Sequence, residues 1–256
     1  MKTTFILASA LFLAFSLNSS AQFFDTPEEL VYYTSEWTGE RFDDGRPKVA
    51  DEILERMKKV SIEEAWGVLR SKGYHNQFDG GWVMIHEDQP VVGRAMTALY
   101  MPSRPEVMDR MTDLGHKQGR IGAMNSWPID ALQQGDVYVA DGFGKVVDGT
   151  LIGDNLGNAI FTNSGNGVVF NAGSRDLEGL SRIEGFNAFV RGFDPSFLTG
   201  SMLMGINVPI RIGRASVFPG DVVLAKKTGV LFIPAHLAEE VVERAEFIML
   251  RDMFGH

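Results

Sequence analysis

A short, uninterrupted apolar segment, Gly167-Val168-Val169-Phe170, lies near the middle of the sequence and sets the fold class. A strand that is apolar throughout is buried on both faces, as in the parallel sheets of α/β proteins. Arg175 and Asp176 follow within a few residues of its carboxyl end, the edge where open α/β sheets bind ligands. The segment therefore predicts a layered α/β domain with a ligand site beside Arg175 and Asp176.

The rest of the sequence alternates between helical and strand patterns, as this fold class requires. Ser61 and Glu64 have the spacing of a capping box at the start of a helix. Apolar periodicity predicts a packed helical pair over about 50–57 and 62–73, a helix from about Pro105 to Leu114, and a last helix after Pro234. Glycine-bounded runs predict strands at 82–85, 94–101, 135–141, 220–226 and 229–233.

A second polar motif, Gly153-Asp154-Asn155-Leu156, precedes the buried strand and complements Arg175-Asp176. The planar guanidinium of an arginine matches a carboxylate, and free backbone N–H groups in a tight loop can share that negative charge. An aspartate oxygen suits a magnesium-type cation. The two motifs together predict a site for a small carboxylic acid and a hard metal ion.

The amino terminus has the pattern of an export signal. Lys2 precedes an apolar run over residues 5–17, and small residues follow up to a predicted cleavage after Ala21. The run is shorter than the roughly 20 residues that span a membrane, and cysteine is absent. We expect a periplasmic or secreted protein without a membrane anchor, with a signal peptide at 1–21, an extension at 22–47 and one domain at 48–256.

Charge and side-chain chemistry narrow the function. The formal net charge of -9 becomes -10 when Lys2 is removed with the signal peptide, which argues against nucleic-acid binding. The five histidines show no ligand spacing, and no thiol or paired-histidine motif favours zinc. Lys145, Lys226 and Lys227 are expected to be solvated turn residues and not Schiff-base nucleophiles.

Taken together, these segments resemble the RraA-like family, which includes 4-hydroxy-4-methyl-2-oxoglutarate aldolases and the regulator of ribonuclease E. The resemblance covers roughly residues 48–250. It is carried by the Gly153 to Leu156 motif, the strand at 167–170, Arg175-Asp176, and the runs at 219–223 and 229–234.

The resemblance implies a three-layer β/β/α swivelling-domain fold, here preceded by an N-terminal helical extension, assembled as homotrimers or homohexamers. It implies that Gly153, Asp154, Asn155 and Leu156 hold a substrate carboxylate. Arg175 would pair with the same carboxylate, and Asp176 would support a divalent cation, Mg²⁺ or Mn²⁺. A carboxyl group from the 239–246 helix of a neighbouring subunit could complete the metal site.

The chemistry implied is carbon–carbon cleavage of a small 2-oxo acid, of the 4-hydroxy-4-methyl-2-oxoglutarate or oxaloacetate type. Both reactions leave negative charge on a pyruvate-like fragment, which a Lewis acid stabilises as an enolate. Either a water on the metal or Asp154 would take the proton from the 4-hydroxyl group.

Three departures from the family pattern leave other functions open. Asn171-Ala172 replaces the Asp-Gly that often precedes the arginine, and Lys226 replaces an aspartate. The segment 157–163 is also poor in helix formers, where family members often carry an alanine-rich helix. The alternatives are a non-catalytic protein-binding regulator, or a hydro-lyase or isomerase for sugar-derived acids. A methyltransferase is disfavoured, because Gly142-Phe143-Gly144 is a lone glycine pair.

Overall fold

The computed structural model describes residues 26–254. The expected signal peptide at 1–21 lies outside this range, so export stays a prediction. Within residues 26–254, no helix combines the length and apolar character that a membrane crossing requires.

Helices and strands alternate along the chain. The α-helices of the described part are α1 Pro27–Tyr33, α2 Asp51–Met57, α3 Ile62–Ser71, α4 Pro105–Lys117, α5 Asp154–Ser164, α6 Leu177–Leu180 and α7 Ala238–Phe254, with 3-10 helices at Met124–Ala131 and Ala235–Leu237. The strands are β1 Phe78–Asp79, β2 Val83–Met84, β3 Val91–Pro102, β4 Asp136–Asp141, β5 Val168–Ser174, β6 Ala188–Phe193, β7 Ser201–Ile206, β8 Ile210–Ile212, β9 Ala215–Val217, β10 Val222–Lys226 and β11 Gly229–Ile233.

One large sheet has the strand order β1-β11-β10-β3-β4-β5-β6-β2. Strands β3, β4, β5 and β6 are parallel to one another, whereas β10 pairs antiparallel with β3 and β11, and β2 pairs antiparallel with β6. The far half of β3 also pairs with β7, after a register shift between Leu99 and Tyr100. The parallel core aligns the carboxyl ends of β4 and β5, which is the edge that the sequence predicted for the ligand site.

The two faces of the sheet are covered differently. On β4, Tyr138 and Ala140 pack beneath helices, while Val137 and Val139 pack against the β8–β9 hairpin. Helices α4 and α5 cover the β3–β6 region, and α2, α3 and α7 cover β10 and β11 on the same face. Successive side chains of the central strands point to opposite faces and are buried on both, which produces three layers, hairpin, sheet and helices, and confirms the β/β/α expectation.

Most predicted helices are confirmed, with two changes. The capping box before α3 forms, because Ser61 Oγ accepts from the Glu64 N–H at 3.1 Å and Glu64 accepts from the Ser61 N–H at 3.2 Å. Helices α2 and α3, expected to pack as a pair, both pack mainly against α7. The segment poor in helix formers nevertheless forms α5, since burial of Ile160 and a left-handed glycine cap at Gly165 outweigh weak propensity.

A buried ion pair ties the N-terminal extension to the sheet. Arg46 Nη1 lies 3.0 Å from Asp136 Oδ2, and both side chains are fully buried. Asp136 also accepts from the Gln133 N–H at 2.9 Å, so it braces the turn before β4. Because a buried charge without its partner is costly, the extension contributes to the stability of the domain.

We predict that Arg46→Leu lowers the free energy of unfolding by about 3–5 kcal/mol, because the buried Asp136 carboxylate loses its hydrogen-bonded partner and keeps only Arg94, whose Nε lies 3.9 Å from Asp136 Oδ1. Urea unfolding measures the change. The control is Lys48→Ala, which breaks the exposed pair with Glu40 and should cost less than about 1 kcal/mol. Equal, small losses for both variants would contradict the prediction.

A second buried carboxyl group lies at the turn before β10. Asp221 Oδ2 accepts from the Phe218 N–H at 2.8 Å and so braces this turn. Burial raises the pKa of Asp221 to about 7, even though hydrogen bonds from the Phe218 and Ala235 amides oppose that rise.

The raised pKa predicts a pH-dependent stability. Between about pH 4 and pH 7 the unfolded chain loses the Asp221 proton while the folded protein keeps it, so this group makes stability fall as pH rises. We therefore predict that the free energy of unfolding of Asp221→Asn, measured against that of the parent protein, rises as pH increases from about 4 to about 7. Below about pH 4 the difference between the two proteins should not change with pH. Thermal melting at several pH values tests this, and a pH-independent difference would contradict it.

Candidate active site

Backbone hydrogen bonds place the two sequence motifs side by side. Residues 150–152 run along the end of β5, where the Leu151 N–H donates to Gly173 O at 3.0 Å. The Arg175 N–H then donates to Ile152 O at 3.0 Å, and the Ser174 hydroxyl donates to the same oxygen at 3.1 Å. Gly153 and Arg175 are therefore neighbours at the carboxyl edge of the sheet.

The absence of a side chain at Gly153 allows this approach. A Cβ atom at position 153 would lie 2.2 Å from Asp176 Oδ2 and 3.3 Å from Arg175 Nε. Asp176 has a left-handed backbone, with φ of +56°, which turns its carboxylate back toward Gly153. The Arg175 guanidinium lies beside it, with Nε 3.9 Å from Asp176 Oδ2, and both side chains are about 43% exposed. The Arg-Asp pair thus faces solvent at the Gly153 bend.

The motif that was predicted as a loop is a helix start. Gly153 is the N-cap of α5, and Asp154, Asn155 and Leu156 form its first turn. The Asn155 N–H donates to Asp154 Oδ1 at 2.8 Å, while the N–H groups of Asp154 and Leu156 have no partner within residues 26–254. Free amides at the positive end of a helix favour an anion, which supports the predicted carboxylate grip.

These groups border an open cavity of about 640 Å³. Of the predicted site residues, Asp154, Arg175 and Asp176 line it, and Gly153 lies against the Asp176 carboxylate. Asn155 and Leu156 belong to the same helical turn but do not line the cavity.

Sequence reasoning missed three charged residues of this cavity, Glu178, Arg182 and Asp194. Asp194 follows β6, which is parallel to β5, so the rule that found Arg175 could also have found it. Hydrogen bonds from the Ser196 hydroxyl and N–H lower the pKa of Asp194, which keeps its carboxylate ionised. Arg182 follows the short helix α6, whose existence no sequence pattern indicated.

The donors in the cavity fit a hydrated hard cation. The carboxylates of Asp154, Asp176, Glu178 and Asp194 line it, but within residues 26–254 no three acidic or imidazole groups converge as a metal cluster. Mg²⁺ keeps several waters and uses one or two carboxylates, so Asp176 with waters suits it. The same set lacks the nitrogen and sulfur ligands that zinc prefers.

The departures from the family pattern lie outside this cavity. Asn171 donates to Asp141 Oδ1 at 2.9 Å and accepts from Arg191 Nε at 2.8 Å, so it belongs to a structural network of strand ends. Lys226, expected to be solvated, donates to Val60 O at 2.6 Å. Burial also lowers the pKa of Lys226.

Comparison with known proteins identifies the class. The RraA-like family model, described as Aldolase/RraA, matches residues 47–232, and the chain belongs to this family. The family includes aldolase and decarboxylase members as well as non-catalytic regulators.

Individual relatives are distant. Protein DlpA of Legionella pneumophila is 27% identical over 186 residues, which cover 68% of this chain and 27% of DlpA. The chain thus spans about a quarter of that curated relative. RraAS2 of Streptomyces coelicolor, described as an unusual member of the RNase ES inhibitor RraA family, has a TM-score of 0.69 at 23% identity, covering 82% of this chain and 97% of its own. An uncharacterized Pseudomonas syringae protein has a TM-score of 0.65 at 23% identity, covering 85% and 91%. These structures show the shared fold.

We predict that Mg²⁺ with oxalate raises the melting temperature of the parent protein, and that Gly153→Ala removes this rise. The backbone at position 153 tolerates alanine, but the new methyl group would displace the Asp176 carboxylate. The matched control is Gly67→Ala in α3, where a Cβ atom meets nothing within 4 Å. That change should add about 0.5–1 kcal/mol of stability and keep the ligand response. A full ligand response in Gly153→Ala would contradict the assignment.

Proposed function

We propose that this protein is a divalent-metal-dependent lyase that cleaves a carbon–carbon bond in a small 2-oxo acid. The leading reactions are 4-hydroxy-4-methyl-2-oxoglutarate cleavage and oxaloacetate decarboxylation. One observation carries the proposal: a guanidinium, a carboxylate and the first residue of a helix, with its free amide, meet at one open cavity. Membership in a family that contains such lyases supports it.

The chain's own residues supply the grip on the substrate. Arg175 offers two parallel N–H donors to the carboxylate next to the keto group, and the free N–H group of Asp154, which lines the cavity, shares its charge. This grip fixes the keto group toward Asp176, which is the residue proposed to hold Mg²⁺ or Mn²⁺. The cation, when bound, acts as a Lewis acid for the charge that develops on the keto oxygen.

The proposed cleavage of 4-hydroxy-4-methyl-2-oxoglutarate is a retro-aldol reaction. Asp154 accepts the proton of the 4-hydroxyl group, the C4–O bond becomes a carbonyl, and the C3–C4 bond breaks. Its electron pair passes to C3 and the keto oxygen as an enolate, and protonation at C3 yields pyruvate. With oxaloacetate the same bond breaks without a base, and CO₂ leaves.

We also propose that the chain is exported, cleaved after Ala21, and assembled as a homotrimer or homohexamer. The apolar leader at 5–17 supports export. Exposed apolar side chains support assembly: Leu177, which lines the cavity, is 43% exposed, and Phe197, two residues after the cavity residue Pro195, is 70% exposed. A neighbouring subunit over this edge would enclose the cavity and could add a carboxylate to it.

We predict Mg²⁺- or Mn²⁺-dependent pyruvate release from 4-hydroxy-4-methyl-2-oxoglutarate or oxaloacetate by the purified protein. Arg175→Ala and Asp176→Ala should each lower kcat/KM by about a hundredfold or more, because they remove carboxylate binding and the metal anchor. A coupled lactate dehydrogenase assay measures pyruvate. Arg110→Ala and Asp113→Ala, on the exposed face of α4, are matched controls that should keep full activity.

Product analysis and melting separate the alternatives. If neither 4-hydroxy-4-methyl-2-oxoglutarate nor oxaloacetate yields pyruvate, the lyase proposal is wrong. Stabilisation by Mg²⁺ with oxalate in that case would point to a hydro-lyase or isomerase that uses the same grip. No stabilisation would point to a protein-binding regulator.

A further inference from the structure

Two adjacent cavities lie beneath the N-terminal segment, residues 33–39, and share no residue with the active-site cavity. The first has a volume of about 360 Å³ and the second about 380 Å³. Glu36, Trp37, Ala235 and His236 line both, so the two spaces are adjacent around Trp37. Small-molecule sites have volumes in this range.

Aromatic side chains form much of the first cavity. Tyr33 and Phe218 approach each other, with ring centroids 6.0 Å apart. The Tyr74 hydroxyl lies 3.4 Å from His236 Nε2, and the Trp37 indole N–H donates to Glu40 O at 2.8 Å, which orients that ring. The cavity therefore has preoriented aromatic walls around one end of Trp37.

The charged groups of the two cavities have one sign. Glu36, Glu52 and Glu239 line them, and within residues 26–254 neither lysine nor arginine does. Asp221 also lines the first cavity, but its raised pKa keeps it largely protonated below pH 7. Burial lowers the pKa of His236, so its imidazole is neutral at pH 7. The charge of Lys72 also lowers the pKa of His236, but the Lys72 ammonium group is itself paired with the Glu240 carboxylate at 2.7 Å. An anionic ligand would find no counter-charge here.

We propose that this paired cavity binds a small organic cation, an amine with an aromatic or apolar body. A cation is attracted to the faces of tryptophan and tyrosine, and Glu36 beside Trp37 supplies the opposite charge. The ligand class is the reverse of that proposed for the active site, where arginine and helix amides select an acid. The two sites are therefore independent.

Three ligands of one shape and different charge test the proposal: benzylamine, benzyl alcohol and benzoate, titrated into the full-length purified protein by calorimetry. Benzylamine should bind saturably and roughly tenfold or more tightly than benzyl alcohol, because only the ammonium gains the cation–π and carboxylate contacts. Any binding of benzoate should be lost in Arg175→Ala, because a carboxylate suits only the active site.

Variants locate the binding. Trp37→Ala should lower benzylamine affinity roughly tenfold, and Glu36→Gln, an exposed change that leaves the fold intact, roughly fivefold. Glu184→Gln, the same change at an exposed position elsewhere, should leave affinity unchanged. The proposal is overturned if benzylamine does not bind, if benzyl alcohol binds equally well, or if Glu36→Gln matches Glu184→Gln. None of these outcomes bears on pyruvate release.

Discussion

The candidate active site depends on one close approach, in which the Asp176 carboxylate lies against the α-carbon of Gly153. The parallel sheet makes it possible by hydrogen-bonding residues 150–152 along the end of β5. Once this contact is set, the first turn of α5 and the Arg175 guanidinium face the same space. The chemistry of the site therefore follows from backbone geometry as much as from the identity of its charged residues.

Sequence patterns predicted the parts of this fold that follow local rules. The buried strand at β5, the capping box at Ser61 and the helix after Pro234 depend on periodicity and neighbouring residues, so they were predictable. Helix α5 was not, because tertiary burial of Ile160 outweighed its weak propensity. Arg182 and Glu178 enter the cavity only through the placement of α6, which no local signal encodes.

The two candidate sites differ in whether arginine side chains line them. At the edge of the parallel strands, Arg175 and Arg182 line the cavity beside four carboxylates, so the acid proposed as substrate would meet two cations there. Beneath the N-terminal segment, aromatic rings and acidic side chains favour a positive ligand. In a protein with a formal net charge of -9, arginine side chains are thus needed at the site proposed to bind an acid, and not at the site proposed to bind an amine.

The pairing of Arg46 with Asp136 has a consequence for where the functional unit begins. The family match starts at residue 47, one position after the arginine that neutralises an interior carboxylate of β4. A chain shortened to the matched residues would keep the Gly153 and Arg175-Asp176 motifs, but the buried Asp136 carboxylate would lose its hydrogen-bonded arginine and keep only the more distant Arg94. For this protein, the boundary of the fold lies upstream of the boundary of the resemblance.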